Sequence, residues 1–313
     1  QDAQGEISGL KYRFETTLLW AGLVLMVAAI VGCGGKQSLA HLSAGELFEI
    51  GKEQHDNNKF IKAIETFQTI VYNYPGERIV DTAQYYLALS YYGNEEYELA
   101  QVEFNRLVIN YPSSAYFESA IFMKAACFFE GTPNHYGLDQ SDLEIAIKQF
   151  EDYLIDYPES DLYPQAQQML LVARSRMARK YYESGIVYSR LGAAGSAEMY
   201  FQKVVDDYTD TEYGALAVFQ CAEMNFLMKK YDKSRQEFES FKAVFPEHEL
   251  AEKAAERAVE SAFKEGEKAL KEGDREAAKE KFETFLTLYP DSDRAADVNK
   301  YLKEITGTNS SGS

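Results

Sequence analysis

The sequence is poor in the residues that build catalytic and metal sites. Its 313 residues include four histidines, three cysteines and one tryptophan. The histidines are spread along the chain without metal-ligand spacing, at His41, His55, His135 and His248. There is no Gly-x-Ser-x-Gly motif, no glycine-rich phosphate loop and no paired-cysteine motif. We therefore expect a protein that is not an enzyme and that holds no metal or cofactor.

Basic residues are also scarce relative to acidic ones. The chain has 32 Lys and Arg against 50 Asp and Glu, a formal net charge of −18. A surface of this sign repels phosphate backbones and anionic lipid headgroups. The balance argues against nucleic-acid binding and against membrane docking through a basic patch, so any contact with a membrane should come from a lipid anchor only.

One apolar run, Leu18–Ile30, follows Lys11 and Arg13 near the N-terminus. It is too short for a stable bilayer-spanning helix and is typical of a signal-peptide core. It leads into Ile30-Val31-Gly32-Cys33, which resembles a bacterial lipobox. We predict a signal peptide over 1–32, lipidation of Cys33 and a flexible tether over 33–43; the alternative is an ordinary secretory signal with a chance cysteine. The polar end of the chain, 306–313, predicts a disordered tail.

What the chain does contain is a repeated mark. Ala or Ser is followed by Phe four residues later and, eight residues after that, by Pro or Thr with an aromatic residue just before it. Successive copies start 37 to 51 residues apart. The copies are Ala63–Phe67–Pro75, Ala100–Phe104–Pro112, Ala146–Phe150–Pro158, Ala197–Phe201–Thr209, Ser234–Phe238–Pro246 and Ala278–Phe282–Pro290. Repetition at this period is typical of a solenoid of helix pairs.

A second small residue precedes the mark by twelve positions in every copy but the third. These residues are Gly51, Ala88, Gly185, Ala222 and Gly266. The spacing agrees with the tetratricopeptide pattern and predicts an all-α solenoid of five to six helix pairs over 44–305. The third copy carries an insertion near 130–140, with helices predicted near 114–129 and 141–156. A further helix over 165–178 either adds to the array or extends the helix that follows.

Cys127 and Cys221 lie in apolar helical stretches two repeats apart. Repeats in a solenoid contact only their neighbours, so these thiols are too far apart to form a disulfide. We predict two buried free thiols.

Aromatic residues recur on the first helix of each predicted pair. Position 5 of the repeat, which commonly faces the concave side, is occupied by Phe48, Tyr85, Phe122, Tyr182, Phe219 and Phe263, and position 12 by His55, Tyr92, Phe129 and Phe226. Aromatic side chains can bind a peptide by burying their rings. We predict a peptide-binding groove in the half over 44–160, formed by Phe48, Tyr85, Tyr92, Phe122 and Phe129. The alternative is that these rings pack within the array.

A more specific signal lies in the middle of the chain. It comprises Leu138-Asp139-Gln140, Tyr157-Pro158-Glu159-Ser160, Ala173-Arg174-x-Arg176-Met177-Ala178-x-Lys180 and Val205-Asp206-Asp207-Tyr208-Thr209-Asp210-Thr211. From Cys33 to about Asp210 the chain resembles the BamD family, tetratricopeptide lipoproteins of the outer-membrane β-barrel assembly machinery. It departs from the family at Thr209, where Pro is usual, and in its sixth repeat-like segment.

The resemblance implies a lipid-anchored protein on the periplasmic face of the cell outer membrane. It implies that the half over 161–305 docks a periplasmic domain of a BamA-type barrel subunit, alongside other subunits of the machinery. It also implies that the N-terminal groove receives C-terminal signals of unfolded outer-membrane proteins. Candidates for polar docking are Arg174, Arg176, Lys180 and Arg190. The alternatives are a scaffold of another envelope complex, such as a Tol-Pal or cell-division protein, and a nutrient-capture lipoprotein.

Overall fold

The computed structural model describes residues 42–307. In this range the chain forms thirteen α-helices and no strand. They are α1 (Ala44–Asp56), α2 (Phe60–Asn73), α3 (Val80–Gly93), α4 (Tyr97–Asn110), α5 (Phe117–Gly131), α6 (Ser141–Asp156), α7 (Tyr163–Arg190), α8 (Ala194–Asp207), α9 (Glu212–Leu227), α10 (Tyr231–Val244), α11 (Ala251–Lys271), α12 (Arg275–Leu288) and α13 (Ala295–Gly307).

The helices form six consecutive pairs, with α13 placed after the sixth. Each helix packs against the helices before and after it in the chain, and a few also reach the helix two places away, as α1 reaches α3 and α7 reaches α9. This is the neighbour-only packing of a repeat solenoid. The predicted all-α tetratricopeptide array is confirmed, with six pairs in the described part of the chain.

The repeated mark is the centre of each repeat. All six Ala or Ser residues and all six Phe residues of the mark are fully buried. The small residue on the first helix is needed because the ring lies directly against it. A Cβ added at Gly185 would lie 2.6 Å from the Phe201 ring, and one at Gly266 would lie 2.4 Å from the Phe282 ring. The ring therefore occupies the space that a larger side chain would need.

The two helices of a pair are joined by a turn with left-handed backbone at repeat position 15. Five of the six pairs share it, with φ values between 57° and 82°, at Asn58, Glu95, Gly192, Lys229 and Gly273. This conformation suits glycine and asparagine and is strained for glutamate and lysine. In the third pair the turn is replaced by the insertion over 132–140, which joins α5 to α6.

The extra length after the third pair extends a helix. α7 runs unbroken for 28 residues, about 42 Å. Pro164 does not interrupt it, because proline is tolerated in the first turn. Ala166 packs in the core around Phe150, whereas Met177 packs in the next core around Phe201. The helix predicted over 165–178 and the first helix of the fourth pair are therefore one element that enters two cores.

The remaining expectations have mixed outcomes. Helix α6 has the predicted bounds, and α5 lies within three residues of them. Cys127 and Cys221 are buried free thiols, as predicted. The signal peptide, lipidated Cys33, tether and disordered tail fall largely or wholly outside the described residues, and the division into functional halves stays a prediction.

Candidate partner-docking cleft

The position-5 rings form an internal layer of the array. Each packs against the Phe of the mark in its own repeat, with centroid distances of 5.2 to 6.3 Å. Phe48 is 8 % exposed and Phe122 is 2 % exposed. The prediction that these two rings line an open groove is wrong. They fill the space between the two helices of a pair, beside the small residue of the first helix.

The other three predicted groove residues are half-buried. Tyr85 stacks on Tyr116 at 4.5 Å, and Tyr92 meets Tyr97 edge-on at 5.3 Å. Burial raises the pKa of both Tyr85 and Tyr92. The Phe129 ring lies 5.2 Å from the Arg176 guanidinium. Each ring already has a partner within the array, and a peptide-binding role for the three stays a prediction.

An open surface follows the first half of α7. Two adjoining cavities of about 470 and 500 Å³ share Leu171 and Asp210 as lining residues. We call this surface the α7 cleft. The first cavity is lined by residues that include Glu151, Leu154, Gln167 and Arg174. The second is lined by residues that include Val172, Ser175, Arg179, Glu212 and Tyr213.

The floor of the α7 cleft is one face of the long helix. Pro164, Gln168, Leu171, Ser175 and Arg179 all line it, and their spacing of three or four residues places them on one side of a helix. They cover about 22 Å along the helix axis. Leu171 is 45 % exposed, and its neighbour Val172 is 40 % exposed. The cleft therefore presents aliphatic surface between polar side chains.

Arg174, on α7, binds the turn after α8 that forms one side of the cleft. Its Nε donates to Asp210 Oδ2 at 2.9 Å, and its Nη2 donates to Asp210 Oδ1 at 2.7 Å and to the Asp207 carbonyl at 2.6 Å. Its Nη1 donates to Glu151 at 3.3 Å. The hydrogen bond to Arg174 lowers the pKa of the Asp210 carboxyl. Arg174 was predicted to dock a partner, but its donors are used to join three segments of its own chain.

Arg176 has a similar internal role. Its Nη2 donates to the carbonyls of Thr132 and Pro133, both at 3.0 Å, at the start of the insertion. Desolvation lowers the pKa of its guanidinium. Arg176 also lines the second cavity, so its docking role stays a prediction. Lys180 is half-buried, with its ammonium 5.9 Å from the Tyr181 ring, and Arg190 is exposed in the last turn of α7. For these two, docking stays a prediction.

The sequence argument missed Arg179, which lines the second cavity and is exposed. Its guanidinium lies 5.2 Å from the ring of Tyr136, a residue of the insertion. Arg179 follows Ser175 by four residues and therefore lies on the same face of α7. The sequence does not show that this face is open, so the spacing alone could not identify Arg179.

Residues 42–307 contain neither a metal-binding cluster nor a membrane-spanning helix. This range holds no group of three or more His, Cys, Asp or Glu side chains that could bind a metal ion. None of its helices combines the length and apolar character needed to cross a membrane.

Comparison with known proteins agrees with the motif resemblance. The model of a family described as "Outer membrane lipoprotein" (YfiO) matches residues 41–237. This chain belongs to that family. The match covers α1 to the first half of α10 and includes the whole α7 cleft. A separate tetratricopeptide model matches residues 260–292, in the sixth helix pair, so the sixth segment lies outside the family match.

Relatives include two proteins named outer membrane protein assembly factor BamD. The one from Rickettsia prowazekii (strain Madrid E) is 23% identical over 226 residues, covering 71% of this chain and 89% of the relative. The one from Caulobacter vibrioides is 23% identical over 205 residues, covering 64% and 67%. A solved tetratricopeptide repeat protein from Parabacteroides merdae is 14% identical, covers 84% of this chain and 98% of its own, and has a TM-score of 0.31.

Proposed function

We propose that this protein is an outer-membrane protein assembly factor, a non-enzymatic scaffold held by lipid on the periplasmic face of the outer membrane. Family membership and the names of the two BamD relatives support this role. In the proposal the protein acts through surfaces that bind other polypeptides, and the α7 cleft docks a periplasmic domain of the barrel-forming, BamA-type subunit.

The observation that carries the docking proposal is the open aliphatic face of α7. In the other described repeats the equivalent first helix has 13 to 21 residues, against 28 in α7, and packs between its neighbours. Among the described first helices, α7 has the longest extension before its repeat begins, fifteen residues. These residues display Leu171 and Val172 in the α7 cleft. Exposed aliphatic residues with a polar rim are typical of protein–protein interfaces.

The test is co-purification of the full-length tagged chain with the barrel subunit from detergent-solubilised outer membranes. Leu171→Glu should lower recovery of the barrel subunit at least tenfold, because it replaces apolar contact surface with a carboxylate that must be desolvated in the interface. Leu288→Glu is a matched control, since Leu288 is also 45 % exposed but lies on α12. Equal recovery with both variants, each folded by circular dichroism, would refute docking at the α7 cleft.

The finer proposal for the N-terminal half is that Tyr85, Tyr92 and Phe129 receive C-terminal signals of unfolded outer-membrane proteins. Its support is the partial exposure of these rings. Binding of an aromatic-ended peptide should weaken at least fivefold in a Tyr85→Ala/Tyr92→Ala variant. Tyr72→Ala, which changes an exposed tyrosine on α2, serves as the control. Unchanged peptide affinity in the folded double variant would remove this assignment.

A further inference from the structure

The two ends of the α7 cleft differ in charge. The first cavity is lined by two carboxylates, Glu151 and Asp210, and one cation, Arg174. The guanidinium of Arg174 already donates to both carboxylates and to the Asp207 carbonyl. One positive charge between two negative ones leaves the first cavity with a formal charge of −1. A carboxylate can accept about four hydrogen bonds, so both retain acceptor capacity.

Neighbouring structure adds to the negative potential of the first cavity. α6 ends at Asp156 and α8 ends at Asp207, and the C-terminal end of a helix carries partial negative charge. α6 itself carries five acidic residues and one basic residue. The whole chain has a net charge of −18, so long-range attraction also favours a basic segment.

The second cavity has a different character. It is lined by Arg176 and Arg179 together with Asp210 and Glu212, so its charged groups balance, and Ser175 donates a hydrogen bond to Glu212 at 3.1 Å. Leu171 lines both cavities and Val172 lines the second, and both side chains are exposed. A ligand that crosses the cleft therefore meets a net negative cavity first, then aliphatic surface, then a cavity whose charges balance. A basic residue is favoured in the first cavity over the Arg179 end.

We propose that the α7 cleft binds an extended segment of the partner polypeptide with a lysine or arginine in the first cavity and an aliphatic residue against Leu171 and Val172. The cation donates to the remaining lone pairs of Glu151 and Asp210 from the open side of the cavity, next to Arg174, and its aliphatic stem packs on Leu154 and Leu171. This inference rests on the proposed docking function and specifies the chemistry of the docked segment. An extended chain advances about 3.3 Å per residue, so about six or seven residues cover the 22 Å cleft floor.

The first experiment measures affinity of the full-length chain for the detergent-solubilised barrel subunit at two salt concentrations. Glu151→Gln removes one carboxylate charge at nearly constant volume and should weaken binding three- to tenfold at low salt, with a smaller loss at high salt. Asp152→Asn is the matched control: it removes the adjacent charge, which pairs with Lys148, and should change affinity less than twofold. Equal effects of the two variants would overturn the inference.

The second experiment identifies the docked segment directly. A photo-crosslinking residue at position 171 should capture one segment of the barrel subunit, with a Lys or Arg within three residues of the crosslink. Binding lost in Glu151→Lys should return when that basic residue is changed to Glu. A captured segment without a basic residue would overturn the inference. If Leu171→Glu abolishes binding and Glu151→Gln has no effect, the docking function stands and this inference fails; if neither variant matters, both fail.

Discussion

Arg174 and Asp210, 36 residues apart in the sequence, form a two-pronged ion pair that fixes the long helix to the turn between α8 and α9. Two hydrogen bonds of 2.9 and 2.7 Å join the guanidinium to the carboxylate. The pair forms part of the cleft, so its first effect is on the shape of the docking surface. If a variant of Arg174 loses partner binding, the cause can be a changed cleft shape as well as a lost contact with the partner.

The strength of this pair can be measured by a double-mutant cycle. Arg174→Met and Asp210→Asn should each destabilise the protein, and the coupling between them should be up to about 1 kcal/mol, because the pair is partly exposed to solvent. Urea denaturation of the four proteins at pH 7 gives the coupling. Strictly additive effects would contradict the pairing.

The same cycle has a defined pH dependence. The folded-state pKa of Asp210 lies below its ordinary value of 3.8, because Arg174 stabilises the carboxylate. The stabilisation is therefore complete above pH 3.8 and is lost as the pH falls from there through the lower folded-state pKa. The coupling free energy should be equal at pH 7 and pH 5 and smaller at pH 3. A coupling that grows on acidification would contradict this sign.

Gly185 on α7 should be intolerant of a methyl group. Alanine is the better helix former, but its Cβ would lie 2.6 Å from the Phe201 ring. Gly185→Ala should lower the free energy of unfolding by about 1 to 3 kcal/mol through overpacking. Gly195→Ala, on α8, is the control: its Cβ would meet only the Met228 sulfur at 3.8 Å, and it should stabilise the protein by up to about 1 kcal/mol. Denaturant titration compares the two; a stabilising Gly185→Ala would be inconsistent with the described packing.

The left-handed turns at repeat position 15 offer a stabilising change. Glu95 and Lys229 have φ values of 62° and 61°. Glycine relieves this strain, so Glu95→Gly and Lys229→Gly should each raise the free energy of unfolding by about 0.5 to 1 kcal/mol. Gly273→Ala should lower it by about 1 kcal/mol, since alanine would be forced to a φ of 82°. Thermal or urea unfolding decides the signs, and destabilisation by both glycine variants would count against the turn geometry.

Phe122 separates the packing role of the position-5 rings from a binding role. Phe122→Ala should lower the free energy of unfolding by about 3 to 5 kcal/mol, because the buried ring contacts Phe150 and Tyr153. Tyr72→Ala should change it by less than about 0.5 kcal/mol, since Tyr72 is 58 % exposed. The two unfolding curves test the difference. Near-equal stability of the variants would favour the open-groove interpretation.

The two thiols should be unreactive in the folded protein. Burial raises the pKa of both Cys127 and Cys221 to about 12, against an ordinary value of 9.0. The thiolate fraction at pH 8 then falls on the order of a thousandfold. Iodoacetamide labelling followed by mass spectrometry should modify both residues in urea and neither in buffer within an hour. Rapid labelling of the native chain would contradict this burial.

The fold could be predicted because the repeated mark fixes local geometry. Ala or Ser, Phe and the closing aromatic residue with Pro or Thr recur at fixed spacing. The small residue and the Phe ring are buried in each repeat, and the closing pair follows the end of the second helix. Position 15 is equally regular in the structure but is occupied by Asn, Glu, Gly, Lys and Gly, so its shared conformation left no common residue type to recognise.

The cleft could not be predicted in the same way. Helical periodicity identifies residues that share a face, but it does not say which neighbouring element covers that face. Phe48 and Phe122 were therefore assigned to the surface, although the second helix of their own repeat covers them. The partners of Arg174 and Arg176 lie 23 to 47 residues away in the chain, and the curvature of the array decides whether they meet.

The continuity of α7 has a mechanical consequence. In a helical solenoid each repeat contacts only its neighbours, so the relative position of two repeats depends on the interface between them. Here a single rod about 42 Å long is embedded at both ends in separate apolar layers. Bending between the third and fourth repeats would therefore have to deform this helix, whereas other neighbouring repeats are joined by turns.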